Sequence, residues 1–83
     1  MKVYLLATKK LKEIRTKKGR TQSDMSSLIS ATSGRPISRS RYTRVEGGFG
    51  SVNIDHGLAI SRILDVTLDK IFINKELANA RTS

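Results

Sequence analysis

Apolar residues recur at helical spacing in five stretches of this 83-residue chain. Tyr4, Ala7, Leu11 and Ile14 follow one another three or four residues apart, which predicts a helix over about residues 8–17. Gly19 suits the left-handed residue that closes it. Val3, Tyr4, Leu5 and Leu6 form a short apolar run that fits a continuation of this helix or a strand. Thr21, with Asp24 three residues on, is the pattern of a helix N-cap. It opens TQSDMSSLIS, where Met25, Leu28 and Ile29 make a buried face. SATSGRP then reads as loop, and Pro36 stops any helix before it. Ser38 caps a third helix, RSRYTRVEG. It places Tyr42 and Val45 on one face and turns Arg39, Ser40, Thr43 and Arg44 elsewhere. Gly47 and Gly48 end it, and GGFGSV is a loop.

Val52 or Asn53 precedes a fourth helix over residues 54–64. Its inner stripe is Ile54, Leu58, Ser61 and Leu64, with Ile60 or Ile63 at the margin. Asp65 makes a turn and Val66 plugs the core. Thr67 caps a fifth helix with Leu68, Ile71 and Phe72 as its apolar face. The fold class expected is all-α: a compact five-helix bundle in a single domain over residues 1–83. Residues 1–7 are an N-terminal extension and residues 74–83 a polar tail.

Charge narrows the function. Lys and Arg number 16 against 7 acids, a formal net charge of +9. Such a surplus repels itself unless a polyanion screens it, so nucleic acid is the leading partner and an anionic membrane surface the second. The absence of cysteine removes disulfides and thiolate metal sites and suits an intracellular protein. No apolar stretch spans a bilayer. His56 is the lone histidine, read as exposed early in the fourth helix and without a metal or catalytic role. No Ser/His/Asp or paired-carboxylate set recurs at workable spacing, so no enzyme activity and no cofactor is expected.

Three pieces in order, LKEIRTKKGRTQ, ISRSRYTRVEGG and NIDHGLAISRILDVTLDKIF, resemble the helix-turn-helix domain of lambda-type repressors and Cro, also called the xenobiotic response element family. They cover about Leu11 to Phe72. The resemblance implies a lambda-repressor-like DNA-binding domain whose third helix enters the major groove while the second lies across the backbone. Carried over by position, it implies that Gln22 touches phosphate or a base edge. Ser38, Arg39 and Ser40 then meet phosphates and bases, and Thr43 and Arg44 point into the groove. Arg41 falls to one side or the other with the helix phase. Arg15 and Glu46 match a structural ion pair between the first and third helices. The partners implied are double-stranded operator DNA and a second copy of the chain. Spare apolar residues for a dimer are Val3, Tyr4, Leu5 or Leu6 at one end and Ile73 and Leu77 at the other.

Some positions depart from the family pattern. Residues 30–36 read as an insertion lengthening the turn of the helix-turn-helix, with Arg35 in it either a phosphate contact or a solvated charge. Ser26 stands where alanine is usual, Arg20 where an apolar residue is usual, and Gly57 where leucine is frequent. Glycine there is expected to weaken the fourth helix by about 0.5–1 kcal/mol relative to alanine. The function read from the chain is a sequence-specific transcriptional regulator, a repressor by preference, of bacterial, phage or plasmid origin, cytoplasmic and nucleoid-associated. The alternative is an antitoxin or other protein-interaction module that also binds its own promoter, with a regulatory protein partner.

Overall fold

The structure, a computed structural model, describes residues 4–74. Val3, Leu77 and the other residues beyond Asn74, for which a dimer contact and a polar tail are expected, lie outside the described residues. Five helices run in order with three short strands between and around them: β1 (Tyr4–Ala7), α1 (Lys9–Lys17), α2 (Gln22–Ser33), α3 (Arg39–Glu46), β2 (Val52–Asn53), α4 (Ile54–Leu64), α5 (Leu68–Ile71) and β3 (Phe72–Asn74).

Most helices begin where a side chain satisfies their free N–H groups. Thr21 and Asp24 form a reciprocal capping box on α2. Ser38 accepts from the Arg41 N–H on α3, and Asn53 accepts from the His56 N–H on α4. They end on residues that reverse the chain. Gly19 (φ 71°), Gly34 (φ 72°) and Asp65 (φ 55°) adopt the left-handed conformation after α1, α2 and α4.

The core joins Leu11 of α1, Met25 and Ile29 of α2, Tyr42 and Val45 of α3, Val52 of β2, Ile60 and Leu64 of α4, and Ile71 of α5, all but inaccessible to solvent. Each such side chain contributes about 1.5–3 kcal/mol relative to an exposed one.

Four parts of the sequence reading need correction. First, α2 does not stop at Ile29 or Ser30 but continues to Ser33, so residues 30–36 are not a long loop. Ser and Thr read as loop formers because their hydroxyls compete for backbone groups. Here those hydroxyls turn inward along the helix: Ser30 Oγ donates to Ser26 O and Ser33 Oγ to Ile29 O. Ser30 Oγ also accepts from the Ile37 N–H at 2.9 Å, and so stitches the end of α2 to the start of the next segment. What separates α2 from α3 is Gly34 to Ser38.

Second, Val52–Asn53 and Phe72–Asn74 are strands, so GGFGSV is not wholly loop and Phe72 is not helical. They flank β1 in the order β2-β1-β3, both antiparallel to it. The apolar run at the N-terminus therefore resolves as the central strand of the sheet. Residues alternate across it. Leu5 faces inward and is buried, as is Phe72, whereas Tyr4, Leu6 and Ile73 share the outer face. Leu5 thus leaves the set of spare apolar residues.

Third, the buried face of α4 is Gly57, Ala59, Ile60 and Leu64, while Ile54 and Leu58 are exposed. Ile60 is therefore core and not margin. Fourth, His56 is half-buried, with its ring Nε2 3.0 Å from the Arg35 carbonyl.

The phase of α4 is set by the close approach of β1. A Cβ on Gly57 would run into the Leu5 side chain and crowd Leu68, so the missing side chain admits Leu5 to the core. Gly57→Ala is expected to lower stability by about 1–2 kcal/mol from overpacking, despite alanine's better helix propensity. In a Leu5→Val background the same change should instead raise stability by about 0.5–1 kcal/mol. Urea unfolding of the four proteins checks the sign reversal.

Candidate nucleic-acid interface

Helix α3 has eight residues, too few to hold its shape alone in water, so its form depends on what it packs against. At about 100° per residue, Tyr42 and Val45 point into the core and Glu46 stands beside them. Ser40 and Arg44 then point directly outward. Thr43 and Arg39 flank them toward α2, and Arg41 flanks them on the other side. Arg39, Ser40, Arg41, Thr43 and Arg44 are all exposed.

The inner side of α3 is held by a buried ion pair. Arg15 Nε donates to Glu46 Oε2 at 2.7 Å and Arg15 Nη2 to Glu46 Oε1 at 2.8 Å, a two-pronged fork in which the side chains are only 11% and 4% exposed. The third guanidinium nitrogen of Arg15, Nη1, donates to the Arg20 carbonyl at 2.7 Å. One guanidinium thereby joins α1, the turn before α2, and the end of α3. Arg20, whose residue type departs from the family pattern, contributes a backbone oxygen here.

Burial works to raise the Glu46 carboxyl, but hydrogen bonds from Arg15 and Gln22, the nearby Tyr42 hydroxyl and the Arg15 charge outweigh it and hold the group below its ordinary value of 4.5. The Glu46 hydrogen bond raises Arg15 in turn. The Tyr42 hydroxyl is buried against this pair yet reaches no hydrogen-bonding geometry among the described residues, so it acts on Glu46 as a neighbouring dipole. Burial first, and then the Glu46 charge, push its phenol well up, so it stays neutral.

The other candidates divide by attachment. Gln22, at the first position of α2, is half-buried and bridges to α3. Its Nε2 donates to Glu46 Oε1 at 3.3 Å, and its Oε1 accepts from Thr43 Oγ1 at 3.1 Å. Arg41 folds away from the outward face, its Nη2 donating to the Ser51 carbonyl at 3.2 Å. Arg35 pairs with Asp55 at 3.0 Å on the exposed start of α4. Ser38 spends its hydroxyl on capping α3. Arg39 and Arg44 carry no side-chain hydrogen bond among the described residues, so their guanidinium groups project into solvent. The N-terminus of α3, capped by Ser38 at the Arg41 N–H, carries the positive end of the helix dipole.

Sequence reasoning missed Asp55, the Ser51 and Arg20 carbonyls, and the bridging use of Gln22. Two of these four are backbone oxygens, which carry no side-chain signature. The other two act across 20 or more positions of sequence.

A family model described as helix-turn-helix matches residues 11–71. The chain belongs to the lambda repressor/Cro-type helix-turn-helix family. No curated protein and no solved structure matches the chain significantly. Membership makes this helix-turn-helix protein a DNA-binding regulator of that type, with double-stranded DNA as its target. In its fold α2 and α3 are the two helices of the motif, and the clamp from Arg15 to Glu46 fixes the second against the body. No helix among the described residues is long and apolar enough to cross a membrane.

The lowered Glu46 pKa sets a pH window. A carboxyl whose folded pKa lies below its unfolded value stabilises the fold fully above the unfolded value, and that contribution is lost as pH falls through the folded one. Glu46→Gln should cost about 3 kcal/mol at neutral pH by leaving the Arg15 charge unpaired. The gap in melting temperature between the wild type and this variant should stay constant down to about pH 4.5 and narrow below it. Thermal unfolding from neutral to acid pH measures that gap, and a gap independent of pH would place the Glu46 effect elsewhere.

Proposed function

We propose that this protein is a repressor that binds a palindromic operator as a homodimer, with α3 in the major groove and the N-terminus of α2 against the backbone. The observation that carries it is the outward face of α3. Arg44 and Arg39, unattached and exposed, flank Ser40 and Thr43 on a helix clamped from behind. An arginine fork matches the O6 and N7 acceptors of guanine, and one bidentate contact discriminates by about 1–3 kcal/mol. Arg35 and Arg41, tied to Asp55 and Ser51, lie at the margins and suit phosphate contacts, which position a protein without reading sequence. Ser38, at the helix start, suits a phosphate as well. Gln22 contributes chiefly by holding Thr43 and Glu46.

The dimer reading draws on the sheet. Tyr4 and Ile73 are 40% and 47% exposed and lie with Leu6 on one outer face, so residues far apart in sequence form a single apolar strip. A contiguous exposed apolar strip supports the reading of this face as the dimer contact. A dimer places two copies of α3 on successive major grooves, about 34 Å apart.

The deciding experiment is fluorescence anisotropy on DNA from upstream of the protein's own gene, with scrambled DNA as competitor, at stated salt concentrations. Preference of about a thousandfold or more is expected. Equal binding to both DNAs, collapsing with salt, would leave only a cationic surface.

Arg44→Ala should weaken specific binding by about 1–3 kcal/mol with helical content unchanged, while Arg35→Ala should weaken specific and scrambled DNA alike. Ile73→Lys should shift the protein to a monomer in light scattering and weaken operator binding at least tenfold. A dimer that survives this change would move the interface off the sheet.

A further inference from the structure

The proton on the Thr43 hydroxyl is already committed within the protein, through a run of contacts that starts at Glu46. A carboxylate only accepts hydrogen bonds, and Glu46 is ionised at neutral pH. The Gln22 group 3.3 Å from Glu46 Oε1 must therefore be the amide nitrogen, which fixes the amide's orientation. Its carbonyl oxygen, Oε1, then faces Thr43 Oγ1 at 3.1 Å. A carbonyl oxygen also only accepts, so Thr43 is the donor. The second group within reach of Thr43 Oγ1 is the Arg39 carbonyl at 2.9 Å, again an acceptor only. The hydroxyl has one proton and two acceptors for it, both belonging to the protein.

We infer that Thr43 is a polarised specificity residue that meets a base in the major groove as a hydrogen-bond acceptor only. Its complement is an exocyclic amino group, adenine N6 or cytosine N4, and not the keto oxygen of guanine or thymine. To donate to a keto oxygen, Thr43 would abandon two acceptors and leave the half-buried Gln22 Oε1 without a partner, a cost of the same order as the bond gained. The neighbouring Arg44 has the opposite polarity, because a guanidinium only donates. The two residues therefore divide the groove edge: Arg44 takes acceptors and Thr43 takes an amino group. This inference rests on the reading of α3 as the groove helix.

The test is selection of binding sites from random DNA by the wild type and by the full-length Thr43→Ser and Thr43→Val variants. Titration of single-base variants of the selected site follows. Circular dichroism melting confirms that each protein folds. The wild type should show one half-site position where adenine or cytosine is preferred over guanine or thymine by roughly threefold to tenfold, the worth of a single neutral hydrogen bond. Thr43→Ser keeps the hydroxyl and should keep that preference. Thr43→Val keeps the shape, with a methyl group in place of the hydroxyl, and should lose the preference at that position alone, with the others unchanged. A Thr43-dependent preference for guanine or thymine would overturn the inferred polarity. Identical selections by wild type and Thr43→Val would remove Thr43 from the bases. A wild type that selects no sequence would overturn the groove reading itself, and this inference with it.

Discussion

The pair between Arg15 and Glu46 governs how the rest of this molecule presents itself. Replacing a buried ion pair with well-packed hydrophobic residues is often neutral or stabilising, whereas removing one partner strands a charge at a cost of several kcal/mol. Its value here is therefore positional. Tyr42 and Val45 are the fully buried side chains on the short helix α3, and two apolar anchors one turn apart leave the helix free to roll about its own axis. The fork on Glu46, one residue further on, removes that freedom. It also fixes the amide of Gln22, and through it the hydroxyl of Thr43. A single carboxylate thus transmits a buried geometry to the exposed face of the helix.

The features legible in the sequence were those that depend on neighbours in the chain. The caps at Thr21 and Ser38 and the anchors Tyr42 and Val45 follow from spacing within one turn, and their geometry matches, whereas Thr67 stands at the start of α5 without a side-chain cap hydrogen bond. The last turn of α2 was hidden because Ser30, Thr32 and Ser33 have the composition of a loop, while two of their hydroxyls bond back along the helix. The phase of α4 was ambiguous for another reason. Ile54, Leu58, Ile60, Ile63 and Leu64 surround the helix, so two stripes fit the pattern. What chooses between them is the approach of Leu5 to Gly57, more than 50 positions away in sequence. The sheet was beyond reach on the same ground, since β2 and β3 have no periodicity of their own at two and three residues.

The sheet ties the chain's beginning to the rest of the fold. β1 pairs with the segment that leads into α4 and with the segment that leaves α5, and the Thr8 N–H and hydroxyl both donate to the Ile71 carbonyl. The start of α1 is thereby fixed, and α1 carries Arg15. The clamp on α3 is only as rigid as the helix that holds its other half. Strand pairing at one end of the molecule and the orientation of α3 at the other are parts of one mechanical linkage.

The arginines show the same economy in how they are held. Arg41 and Arg35 are tied to Ser51 and Asp55, whereas Arg39 and Arg44 stand free among the described residues. Ordering a long side chain on binding costs up to about 2 kcal/mol of rotamer entropy. A side chain already tied down has lost part of that freedom but must exchange a partner to contact DNA. Phosphates, present at every step of the duplex, tolerate such an approximate and replaceable contact. A guanine edge does not, because two parallel hydrogen bonds must be made at one place. Freely projecting arginines on a helix clamped from behind suit the second task, since the side chain adapts while its Cα stays in register with the groove. In the proposed function, the division between free and tied arginines on a chain of net charge +9 corresponds to a division between reading sequence and holding the backbone.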